Sequence, residues 1–203
     1  MPENTKELFS TPFSPSYWKA AAGELKSTKK LVLTALFIAL QIALSAFFIP
    51  VGANLRIFFT FFITALGGLI YGPVLALIAG LLNDLIGYMV HPSGPFFWGY
   101  ILTSMAGALI YALFFYRTRI TIVKIALAKL CVNVFVNIGL NCLWSQMLYG
   151  KGYLYYLAKS LVKNIALLPV EIIILVLFFQ LMLPVLYHTK LVVRQPTNRI
   201  PVI

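Results

Sequence analysis

Acidic residues are nearly absent from this chain: five Asp and Glu in 203 residues, against sixteen Lys and Arg. Charge of either sign is scarce at 10%, while 61% of the residues are hydrophobic and the mean hydropathy is +0.93. A soluble domain carries roughly a quarter charged residues. There is too little polar surface here to coat a water-soluble core, so the composition specifies a one-domain integral membrane protein. Cysteine is limited to Cys131 and Cys142. On one helix they stand roughly 16 Å apart, beyond the reach of a disulfide. There is no Walker A sequence, which excludes ATP hydrolysis through a P-loop, and no H-E-x-x-H, G-x-S-x-G or paired-carboxylate motif. His91, one of two histidines, has no second ligand at metal-binding spacing. No metal, cofactor or nucleic-acid partner is therefore expected. Residues 1–30 lack a secretory signal and read as a polar cytoplasmic tail, with a short interfacial helix around Tyr17–Leu25.

What is abundant is apolar sequence, in six segments: Leu31–Ile49, Ile57–Tyr71, Pro73–Val90, Phe96–Tyr116, about Ile122–Leu148 and about Leu157–Leu186. A spanning helix needs about 20 residues. The second segment is short, and the fifth and sixth are long enough to tilt. Pro169 is placed to bend the sixth. This predicts an all-α bundle of six transmembrane helices, with a membrane domain over residues 31–187 and a carboxyl-terminal tail over 188–203. Eleven of the sixteen basic residues fall in the two tails and the loop between the fourth and fifth segments. Both termini are then cytoplasmic. Arg56, Lys151, Lys159 and Lys163 fall at the outer ends of helices, where there is no acidic residue, so either the outer mouth attracts anions or Lys159 and Lys163 snorkel to lipid headgroups.

Three ionisable residues interrupt the apolar segments: Asp84, Lys129 and Glu171. A charge in a spanning helix marks by default a polar cavity, a partner or a transport pathway. Lys129, Asn133, Asn137 and Asn141 recur every four residues and make one drifting stripe along the fifth helix, which belongs toward the bundle interior. Counted from the cytoplasmic end, Asp84 is about 16 Å deep and Lys129 about 10 Å. They can pair with each other or share a ligand. Glu171 either joins the same layer or binds backbone groups freed by Pro169. Trp98 follows the rigid run His91-Pro92-Ser93-Gly94-Pro95 and is placed to stack on a planar ligand. Ala35, Ala39 and Ala43 form a small-xxx-small series that admits close helix approach, within the bundle or from outside it.

These features resemble the substrate-binding S-components of energy-coupling-factor (ECF) vitamin transporters. The resemblance covers roughly residues 28–187. It rests on Ala35-Leu36-Phe37-Ile38-Ala39 in the first helix and on the run from Asn83-Asp84-Leu85-Ile86-Gly87-Tyr88 through to Trp98-Gly99-Tyr100. That run is similar to the folate-specific branch. The resemblance implies a vitamin-binding cavity open to the outside. It also implies docking, through Ala35, Ala39 and Ala43, on a transmembrane coupling protein with two ATPases. The loops around residues 50–56, 91–95 and 149–153 would act as gates. For a folate ligand, Asp84, with Asn83 beside it, would read the pterin, Asn133 and Asn137 would add pairing, and Tyr88 or Trp98 would stack on it. Arg56, Lys159 or Lys163 would hold the glutamate carboxylates, or Lys129 would do so in a reversed orientation. The alternatives are another, anionic vitamin; an intramembrane enzyme using Asp84 or Glu171 as acid or base; and a scaffold in which Asp84 and Lys129 form a structural pair.

Overall fold

The computed structural model describes residues 8–9, 11–12, 14–52, 55–92, 95–150, 152–193 and 200–202, without the side chains of 48–57. Helix α1 (Pro15–Gly23) leads through one short turn into α2 (Thr28–Ser45). A hairpin of β1 (Phe48–Gly52) and β2 (Leu55–Phe58) follows, then α3 (Thr60–Val90) and α4 (Trp98–Phe115). Next comes α5 (Ile122–Cys131), a π-helical stretch (Val132–Leu140) and α6 (Asn141–Tyr149), run together as one rod, and finally α7 (Tyr153–His188). Five helical stretches are long and apolar enough to cross a membrane: Thr28–Ser45, Thr60–Val90, Trp98–Phe115, Ile122–Tyr149 and Tyr153–His188.

The second and third apolar segments form one element, α3, broken at Gly72-Pro73. Gly72 has φ 78°, a left-handed value that L side chains avoid, and proline begins the next helical run. The chain reverses there. Gly68 lies against Ala112 and Gly72 against the Tyr116 ring, whereas Gly80 lies against Met105. The first half of α3 thus runs alongside α4 in the same sense, and the second half runs back down it.

Two features depart from the sequence expectations. The all-α expectation misses the antiparallel hairpin, which pairs Phe48 with Phe58 and Ile49 with Ile57, so the first helix stops at Ser45 and not Ile49. The segment around Tyr17–Leu25 is not a free interfacial helix. Tyr17 and Ala21 are fully buried, and the Tyr17 hydroxyl donates to the Ala112 carbonyl at 3.1 Å.

Burial is inverted relative to a soluble protein. Leu154, Val162 and Leu181 of α7 are 70–76% exposed, while Lys129 and Asn133 are almost wholly buried. Apolar side chains face outward where lipid would lie, and polar ones face inward. Both described terminal segments converge on the α4–α5 loop: the Phe9 N–H donates to the Arg117 carbonyl, and the Ile122 N–H to that of Pro201. There Glu24 accepts from the Tyr116 hydroxyl at 2.9 Å and from Arg117 at 3.1 Å. Burial first, and the Glu24 charge second, push the Tyr116 phenol well above its ordinary range, so it remains a donor. Lys30 donates to the Ile70 carbonyl beside the Gly72 break and to the Leu191 carbonyl.

Gly72→Ala combines the disfavoured φ with a Cβ placed 2.9 Å from the Tyr116 ring. It is expected to destabilise the fold by about 1–3 kcal/mol, read as a lower thermal-unfolding midpoint in detergent. An unchanged midpoint would show that the break tolerates a side chain.

Candidate functional site

A cavity of about 620 Å³ lies inside the bundle, within the size range of small-molecule sites. All the long helices contribute to its wall, with Gln41 from α2, Asn83 from α3, Tyr111 from α4, Asn137 from the π stretch and Lys163 from α7 among the lining residues. Exposure grades along it. Tyr71, Tyr111 and Lys129 are buried to within 4% and form the deep end, while Phe58 and Lys159 are exposed and form the rim.

The deep end is held by one carboxylate. Lys129 Nζ sits 3.1 Å from Glu171 Oε2, and Asn133 Nδ2 donates to the same oxygen at 3.4 Å. Asn137 Nδ2 donates to Asn133 Oδ1 at 2.9 Å, and Lys129 also lies 4.2 Å from the Phe61 ring centroid. Among the described residues no side chain bonds Glu171 Oε1. The four-residue stripe stays in line because of the π stretch. Four residues overshoot an α turn of about 3.6 but fall short of the wider π turn, so the drift in one is undone in the other. Ser160 on α7 donates to the Asn137 carbonyl at 3.1 Å, tying this stretch to the neighbouring helix.

The suggested Asp84–Lys129 pair is not formed. The counter-ion of Lys129 is Glu171, which also removes the reading of Glu171 as a partner for backbone freed by Pro169. Depth alone placed Asp84 and Lys129 in one layer, but helix rotation decides which side chains meet. Asp84 is half-buried, accepts a hydrogen bond from Ser104 at 3.2 Å, and stands behind the wall, not in it. Asn83, Lys129, Asn137, Lys159 and Lys163 line the cavity, and Asn133 sits directly behind it. Tyr88 and Trp98 do not line it. They form an edge-to-face series with Phe96, at 5.1 and 5.3 Å between centroids, and Trp98 is 71% exposed. The Arg56 side chain, Lys151 and the loop residues Ser93 and Gly94 lie outside the described residues. Trp144 does not line the cavity either, but donates to the lining residue Thr103 at 3.0 Å.

Among the described residues, two that line the cavity carry buried polar atoms with no hydrogen-bond partner: Asn83 Oδ1 and the Tyr111 hydroxyl. Such groups are rare in native interiors. Tyr111 escaped the sequence reading because tyrosine near a helix end reads as an interface residue. Its neighbours Gly107 and Ala108, which leave room on the same helix face, were the available signal.

An outward apolar shell around a polar, half-enclosed cavity defines a membrane protein that takes up a small polar ligand within the bilayer. Residues 29–180 match the family model described as "ECF transporter, substrate-specific component", and the chain belongs to that family. It is 32% identical over 151 residues to the Folate transporter FolT of Clostridium novyi (strain NT), covering 74% of this chain and 88% of the relative. It is 31% identical over 152 residues to the Folate transporter FolT of Leuconostoc mesenteroides subsp. mesenteroides, covering 71% and 81%. It also superposes on a crystal structure of FolT bound with folic acid, with TM-score 0.64 and 31% identity, over 72% of this chain and 88% of that one.

Removing one partner of a buried pair leaves an uncompensated charge. Lys129→Met is expected to lose about 3 kcal/mol in unfolding from detergent, and Lys129→Met with Glu171→Leu to recover most of it. Equal losses in the single and double variants would show that the pair is not coupled.

Proposed function

We propose that this chain is the folate-binding S-component of a bacterial ECF importer. The observation that carries the reading is the order of polarity along the cavity. A carboxylate with its amides occupies the deep end, and two lysines occupy the outer part, at Lys159 and Lys163. Folate has the matching order, a flat pterin rich in N–H donors at one end and a glutamate with two carboxylates at the other. Glu171, whose Oε1 no described side chain bonds, and Asn137 face the pterin. Lys159 and Lys163, one turn apart on α7, take the glutamate. Asp84 acts through Ser104 on the adjoining wall, and Tyr88 and Trp98 stay outside the ligand shell. The relatives named as folate transporters and the folic-acid-bound structure support the same ligand.

Counting the two halves of α3 separately gives six crossings. The basic end, where the described terminal segments converge, faces the cytoplasm of a cell bounded by its plasma membrane. Ala35, Ala39 and Ala43 are all exposed on α2, beside the outward Val32, Leu36 and Leu40. This face fits a coupling protein, and hydrolysis of ATP falls to two ATPase partners and not to this chain.

Purified in detergent and titrated calorimetrically with folic acid, the chain is expected to bind saturably at micromolar concentration or below. Lys163→Ala should weaken binding severalfold and flatten its salt dependence. Absence of saturable binding, with another anionic vitamin bound instead, would replace folate as the ligand. Ala35→Trp should leave this titration unchanged while abolishing co-purification with a coupling protein and its ATPases. Intact assembly would place the docking face elsewhere.

A further inference from the structure

We infer that Tyr111 is a specificity-determining residue that reads a hydrogen-bond acceptor on the buried edge of the ligand, and so selects 4-oxo over 4-amino pteridines. This deepens the folate reading and rests on it. Tyr111 is 1% exposed, lines the cavity, and its hydroxyl has no partner. Glu171 lines the same cavity. The carboxylate and the phenol thus face the same deep end with opposite needs. An ionised carboxylate only accepts hydrogen bonds, whereas a phenol with an orphaned O–H must donate one.

A ligand that satisfies both presents donors with an acceptor beside them along one edge. The pyrimidine edge of a 4-oxo pteridine has that order: the 2-amino group, N3–H, then the O4 acceptor. The first two fit the carboxylate and the third fits Tyr111. In a 4-amino pteridine the order changes. N3 becomes an acceptor and the 4-position a donor, so the carboxylate keeps only the 2-amino donor and the phenolic hydrogen loses its acceptor. A site built to hydrogen-bond one group rejects the analogue lacking it, because its own buried polar atoms are then left unpaired. Tyr71 lines the same deep end, but among the described residues the Tyr111 hydroxyl is the fully buried tyrosine oxygen without a hydrogen-bond partner.

The test is calorimetric titration of the purified full chain with folic acid and with its 4-amino analogue aminopterin, for the wild type and for Tyr111→Phe. The wild type should prefer folic acid by tenfold or more. In Tyr111→Phe the affinity for folic acid should fall about tenfold, with aminopterin changing by less than threefold, so that the preference collapses. Equal wild-type affinity for the two ligands would overturn the inference without recourse to any variant. So would equal losses, or no loss, in a Tyr111→Phe chain that retains the wild-type thermal midpoint. Should that variant not fold, the wild-type preference decides the matter. If the wild type binds neither ligand, it is the folate reading that fails, and this inference falls with it.

Discussion

The Glu171 carboxylate is the point on which the interior of this molecule depends. It meets the Lys129 ammonium at 3.1 Å and the Asn133 amide through one oxygen. Either charge alone at this depth would be expensive. Together they join the Ile122–Tyr149 stretch to α7, and α4, α2 and both halves of α3 pack around the space between. The neutralised pair also leaves Lys159 and Lys163 as the unpaired cations lining the cavity among the described residues. The cavity is polarised because its deepest positive charge is cancelled and its outer ones are not.

Much of the architecture was written in local signals. Gly72-Pro73 announces a break, since glycine alone accepts the left-handed turn and proline can only open the next helix. The asparagines at four-residue spacing face the interior as expected. Their alignment, however, depends on π turns for which the sequence carries no plain mark. What could not be read was anything set by rotation of one helix against another. Asp84 and Lys129 have comparable depths yet point to different neighbours, while Glu171, left open between that layer and the backbone freed by Pro169, provides the partner. The β-hairpin was hidden in a segment that looked like a helix end and a short span. Its strands are five and four residues long, too short for alternation to register.

The family match begins at residue 29 and ends at 180. The described parts of this chain outside those limits form a collar at the basic end. Tyr17 holds the carbonyl of Ala112, next to Tyr111. Lys30, just inside the matched region, holds the carbonyl of Ile70, next to Tyr71. Both deep tyrosines of the cavity are therefore braced through neighbouring backbone carbonyls, from the basic end. The Glu24–Tyr116–Arg117 cluster fixes the same collar to the loop on which the chain's two described ends converge.

The separation of Lys129 from Glu171 along the chain has a consequence for how the protein is made. Synthesis proceeds from the amino terminus, so the stretch carrying Lys129 emerges before the helix that carries its counter-ion. Until α7 is complete through Glu171, the Ile122–Tyr149 stretch holds a bare ammonium among apolar residues and gains little by settling into lipid. The last helix is thus the clasp that lets an earlier one stay in the bilayer. A nascent chain halted in the α6–α7 loop would hold every polar residue of the stripe and lack the one group that neutralises it.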